Sequence, residues 1–183
     1  MFRPTLQGRR FFASSGTDHA QLVDFFALLE VRRTFQVDLK AAETNYKRMQ
    51  FLVHPDRKSQ ADATDSSSLL NEAISTLKNP LLRTEHLLKL HGIRETGENE
   101  RVQNTNLLME IMDLNESIDE ASEANDRNGL ELILVSLQKK IETSENLIAT
   151  LYEQQNLTEV KNEADKMRFF VRTVERVQQL LRL

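Results

Sequence analysis

Apolar residues recur at spacings of three and four through most of this chain, and that pattern restricts it to helices packed by their apolar faces. Leu39, Ala42, Tyr46, Met49 and Val53 define one such face, and Leu69, Leu70, Ala73, Ile74 and Leu77 define another. Breakers are rare, with five glycines and three prolines in 183 residues. Leu, Glu, Gln, Lys and Arg, which cost a helix little side-chain entropy, are plentiful. The expected fold class is all-α.

The first two faces flank His54-Pro55-Asp56 and a polar connection running from Arg57 to about Thr64. Two apolar-faced helices joined in this way should pack antiparallel, with the tripeptide at the tip. Pro55 lacks an N–H and restricts the residue before it, so the first helix should stop there. His54 and Asp56 are then presented on a short rigid turn, an arrangement suited to docking. As an acid–base pair they would straddle a proline with no cleft or nucleophile nearby, so no enzyme is expected.

Beyond the hairpin, Asn79 and Pro80 pair as N-cap and first-turn residue. Leu81, Thr84, Leu87, Leu88 and His91 then trace a helix that Gly92 should stop. Residues 92–105 are polar and read as a linker between an N-terminal unit, 18–91, and a C-terminal unit, 106–183. The latter holds three seams. Leu107, Ile111, Leu114, Ile118 and Ala121 form the first. Asp126-Arg127-Asn128-Gly129 should be a turn. Leu130, Leu134, Leu137, Ile141, Ile148 and Leu151 form the second seam, and Val160, Ala164, Met167, Val171, Val174 and Leu181 the third. Three such helices with short connections make an antiparallel bundle.

Some apolar residues do not fit those seams. Met109 and Met112 lie off the first, and Leu108 lies at its edge, beside Asp113, Glu116 and Glu120. Phe169 points away from Met167 and Val171, whereas Phe170 falls on the buried side. Exposed Met and Phe beside carboxylates suit an adaptable protein-binding surface. The plainer alternative is a wider core or contact with the N-terminal unit.

Composition narrows the classes further. A net charge of -4 argues against a generic nucleic-acid binder. The absence of cysteine removes disulfides and thiolate metal sites, so no metal and no cofactor are expected. No apolar run approaches a membrane span. Residues 1–17 contain Arg3, Arg9 and Arg10, several hydroxyl residues and no acid, the composition of a mitochondrial transit peptide or else of a plain basic tail. Arg10-Phe11-Phe12-Ala13-Ser14 is similar to a matrix-protease cleavage site.

The tripeptide in its helical setting resembles the J domain of co-chaperones that activate DnaK-type ATPases. Asp24-Phe25-Phe26-Ala27-Leu28-Leu29 resembles that domain's short first helix, Leu39 to Val53 its second, and Asn71 to Arg83 its third and the break after it. Leu107 to Glu116 and Met167-Arg168-Phe169-Phe170 resemble the C-terminal domain of the HscB type of J protein. Some relatives carry an N-terminal zinc-binding cysteine set, which this fungal-like chain lacks. The resemblance implies two partners, a heat shock protein 70 chaperone of the DnaK type and an IscU-type iron–sulfur scaffold protein. Chaperone contact would fall to His54, Pro55 and Asp56, with Asp56 accepting a charge-assisted hydrogen bond from an arginine. Lys40, Lys47, Arg48, Arg57 and Lys58 would steer an acidic chaperone surface, or else form an ordinary solvated face. Scaffold contact would fall to Leu108, Met109, Met112, Asp113, Glu116 and Phe169. The expected function is a mitochondrial matrix co-chaperone that delivers the scaffold and stimulates the chaperone's ATPase. The alternative is a general mitochondrial J protein for unfolded clients, against which the missing Gly/Phe-rich linker argues.

Overall fold

The computed structural model describes residues 22–53, 60–93 and 105–182. Among them are seven helices and no strand: α1 (Phe25–Leu28), α2 (Leu39–Leu52), α3 (Gln60–Lys78), α4 (Pro80–Leu90), α5 (Thr105–Glu123), α6 (Arg127–Glu153) and α7 (Leu157–Arg182). The all-α expectation and the helical hairpin of α2 and α3 hold.

Local chemistry sets most helix ends. Asp24 caps α1 by accepting from the Phe26 and Ala27 N–H groups at 3.0 and 3.2 Å. Asp38 does the same for α2 through Ala41, and Asn79 for α4 through Leu81 and Leu82, with Pro80 in the first turn. At the end of α4, Gly92 takes φ +75 and donates to the Lys89 carbonyl, while Ile93 donates to that of Leu88. These crossed bonds are a Schellman stop, and Ile93 folds back onto the core.

Two boundaries differ from expectation. The polar connection does not run to Thr64, because α3 already begins at Gln60. Thr64 therefore lies within α3. Asp126 to Gly129 is not the turn between α5 and α6. The chain reverses at Asn125, whose φ is 51, and Asp126 is the N-cap of α6, accepting from the Gly129 N–H at 3.0 Å. An Asp three residues before a Gly is compatible with either reading. Here a Cβ on Gly129 would lie 2.5 Å from an Asp126 carboxylate oxygen, which a larger residue would push aside.

Two apolar clusters fill the molecule. Ile118, Leu130, Leu137, Phe170 and Val177 centre the outer part of the α5–α7 bundle. The other begins among Phe26, Leu29, Ala42, Leu70, Leu77 and Leu87 and continues without a break into Ile148, Ala149, Tyr152, Val160, Ala164 and Met167. Thus the inner ends of α6 and α7 complete the core of the N-terminal unit. The α6–α7 pair packs extensively, whereas α5 lies against the pair over a smaller area.

Candidate functional site

His54, Pro55, Asp56, Arg57 and Lys58 lie outside the described residues, as do residues 1–17. The arms that carry the tripeptide are described. The Tyr46 hydroxyl donates to the Asn71 side chain at 2.6 Å, and Gln50 donates to the same oxygen at 2.9 Å. Ser67 in turn donates to Gln50 at 3.2 Å. This network fastens α2 to α3 one turn before the tip. Lys40, Lys47 and Arg48 are exposed on α2. Arg48 also reaches Glu30 at 2.6 Å, an exposed pair of small energetic weight.

On α5 the seam and the off-seam residues separate as their spacing implied. Ile118 is fully buried and Ile111 and Leu114 half-buried, while Leu108, Met109 and Met112 are 40%, 58% and 62% exposed. Asp113, Glu116 and Glu120 are exposed along the same helix. Phe169 departs from the expectation of a free side chain. It is half-buried at the edge of the bundle core, edge-on to the buried Phe170 ring at 6.0 Å. Two successive aromatics on α7 cannot share one direction, but the large Phe170 ring gives its neighbour a wall to lean on.

Side-chain pairing defines how α5 and α7 align. Helices α5 and α7 are both antiparallel to α6, so they run parallel to each other. Arg176 on α7 donates to the Asn115 side chain at 2.8 Å and pairs with Asp119, both on α5. Seven residues is about two helical turns. Stepping back seven on each helix replaces Arg176 by Phe169, Asn115 by Leu108 and Asp119 by Met112. Lys140 of α6 pairs with Glu110 at 2.6 Å, steadying the same stretch of α5.

The polar groups inside the molecule were not legible as partners in the sequence. Arg168 of α7 donates to Glu85 of α4 through two nitrogens, at 2.8 and 3.1 Å, and also pairs with Asp165. Burial opposes its charge, but these carboxylates outweigh burial and raise its pKa. Buried His86 accepts the Phe25 backbone N–H at 3.1 Å and stacks on that ring at 4.4 Å. Burial lowers its pKa; Asp24 opposes, and Lys89 and Arg33 add to the lowering. The only sequence signal was the helical phase of these residues, which put polar side chains on apolar faces. Among the described residues no cluster of three or more His, Cys, Asp or Glu side chains is placed to hold a metal, and no helix is long and apolar enough to cross a membrane.

Fold and surface together define a protein of the J-domain class that carries a second helical lobe. Residues 103–178 match the model of the HSCB C-terminal oligomerisation domain. The chain is 35% identical over 160 residues to the human iron-sulfur cluster co-chaperone protein HscB, covering 84% of this chain and 67% of that one. The crystal structure of human co-chaperone protein HscB superposes with a TM-score of 0.81 at 30% identity, over 96% of this chain and 93% of that one. The Jac1 co-chaperone from Saccharomyces cerevisiae has the same fold, with a TM-score of 0.73 at 20% identity over 93% and 95% of the two chains. The chain belongs to the HscB family.

Proposed function

We propose that this protein is a J-type co-chaperone of iron–sulfur cluster assembly. It holds an IscU-type scaffold on its C-terminal bundle, presents it to a DnaK-type chaperone through the J domain, and stimulates that chaperone's ATPase. Hydrolysis itself belongs to the chaperone. Holding both partners raises their effective concentration and couples client capture to the ATPase cycle.

One observation carries the scaffold assignment. Leu108, Met109 and Met112 stand exposed beside Asp113 and Glu116 while the seam of the same helix is satisfied within the bundle. Apolar side chains that the fold does not use are available to a partner, and flexible methionines adapt to its shape. The flanking carboxylates meet basic scaffold groups. On the chaperone side, Asp56 accepts from a chaperone arginine while Lys40, Lys47, Arg48, Arg57 and Lys58 steer the encounter. The site of action is the mitochondrial matrix, reached after loss of a segment ending near Phe12. Mass spectrometry of the endogenous protein checks this, and an intact Met1 in a purely cytosolic pool would contradict it.

The decisive experiment truncates Leu108, Met112 and Phe169 together to alanine and titrates the scaffold. Affinity should fall by at least ~2–4 kcal/mol, since interface energy concentrates in a few apolar anchors. A folded variant with unchanged affinity would remove the surface from the binding site.

A further inference from the structure

We infer that Arg176 is a positioning residue for scaffold recognition: its bridge from α7 to α5 fixes the register that sets Phe169 against Leu108 and Met112. The inference rests on the proposed scaffold surface and adds a residue outside it.

Three observations support it. The proposed surface is divided between two helices that do not follow one another in the chain, so its shape depends on how α5 and α7 slide past each other. Next, α5 is the bundle's most lightly packed helix and, among its described side chains, contributes one that is fully buried, Ile118, to the outer core. Apolar contacts are non-directional and tolerate small axial shifts of a helix. A planar guanidinium bonded to two acceptors one turn apart does not, because its fork matches one offset only. Arg176 is so engaged, with one terminal nitrogen on Asn115 and the other on Asp119.

The offset recurs at the surface. Arg176 faces positions 115 and 119, and Phe169, seven residues earlier, falls opposite positions 108 and 112. A register set at the bridge is therefore transmitted about two turns along a pair of parallel helices. Arg176 and Asp119 are both substantially exposed, so the bridge is worth little to overall stability. Its consequence lies in geometry, since a binding surface held loosely by its supporting contacts loses affinity without losing its residues.

The test uses the full chain and a purified IscU-type scaffold. Arg176→Ala should weaken scaffold binding by roughly five- to tenfold while the thermal melt and scaffold-independent chaperone stimulation stay near the wild-type values. Asp119→Arg alone should weaken it similarly. Combining Asp119→Arg with Arg176→Asp restores an ion pair between the helices, though not the fork on two acceptors, and should recover part of the affinity. In a Leu108→Ala, Met112→Ala background, Arg176→Ala should add little, because the surface it arranges is already gone. Unchanged binding by a folded Arg176→Ala variant overturns the inference. So does a folded charge swap that binds no better than either single variant, which would mean that Arg176 meets the scaffold directly. If Arg176→Ala melts early, the swap decides the matter. Failure of the underlying surface is read separately, from unchanged affinity when Leu108, Met112 and Phe169 are truncated.

Discussion

Leu108, Met109 and Met112 were legible because a helical wheel separates them from a seam whose own members are plainly apolar. Phe169 was legible only in part. The wheel gives its direction but not the width of the core beside it, and that width comes from the Phe170 ring. This difference has a measurable consequence. Leu108→Ala and Met112→Ala should each cost about 0.5 kcal/mol of stability or less. Phe169→Ala should cost more, because it strips a wall from a partly buried aromatic pair. Separate denaturant melts check the order, and an equal, negligible cost for all three would place Phe169 outside the core. His86 was not legible as a partner of Phe25, since the two are 61 residues apart. Its role predicts a pH response. The folded state keeps the ring neutral as an acceptor, with a pKa below the ordinary 6.5, under burial first, then Lys89 and Arg33, against the pull of Asp24. Below that ordinary value the unfolded chain takes up the proton more readily than the folded one. The stabilisation is therefore complete above about pH 6.5 and is lost as pH falls toward the depressed folded value. Melting temperatures across this range should drop less in His86→Gln, whose amide oxygen accepts at any pH. Parallel curves would dismiss His86 as the source.

At the scale of elements, the capped helices were the readable ones. Asn79-Pro80 and Gly92 announced the ends of α4, because each residue type has one strong use there. The α5–α6 connection is ambiguous in sequence because Asp126 and Gly129 satisfy turn chemistry and cap chemistry alike. The structure distinguishes them by a substitution. Alanine is normally better than glycine inside a helix by about 1 kcal/mol. At position 129 its Cβ would crowd one Asp126 carboxylate oxygen, which must turn aside to keep the cap. Gly129→Ala should thus stabilise less in the native background than once Asp126→Ala has already removed the cap. Urea titrations of the four combinations check this, and equal effects in both backgrounds would refute it. Helix α5 leans on one residue, Ile118, for its deepest contact. Ile118→Ala should cost about 2–5 kcal/mol, as buried large-to-small changes do.

For the whole molecule, periodicity predicted two helical units but not that they share a core. Amphipathic spacing marks Ile148, Ala164 and Met167 as buried without saying against what. The structure places them with Leu87 and Leu88 of α4 in one continuous cluster, reinforced by Arg168 on Glu85. Met167→Ala should therefore lower the melt of both units together, in a single transition seen equally by probes in α3 and α6. Two transitions, only one of them shifted, would show that the units unfold independently. Replacing His54-Pro55-Asp56 by three alanines should abolish ATPase stimulation yet leave scaffold titrations unchanged, and retained stimulation would refute the chaperone assignment. The unbroken core has a mechanical consequence. A hinge needs a boundary that can open at little cost, and this boundary is packed with Leu87, Tyr152, Ala164 and Met167. In the proposed ternary complex the protein is then a gauge block rather than a leash: it sets both the distance and the angle at which one partner is offered to the other. Strain applied at the hairpin would reach the far helices as displacement instead of being lost in slack.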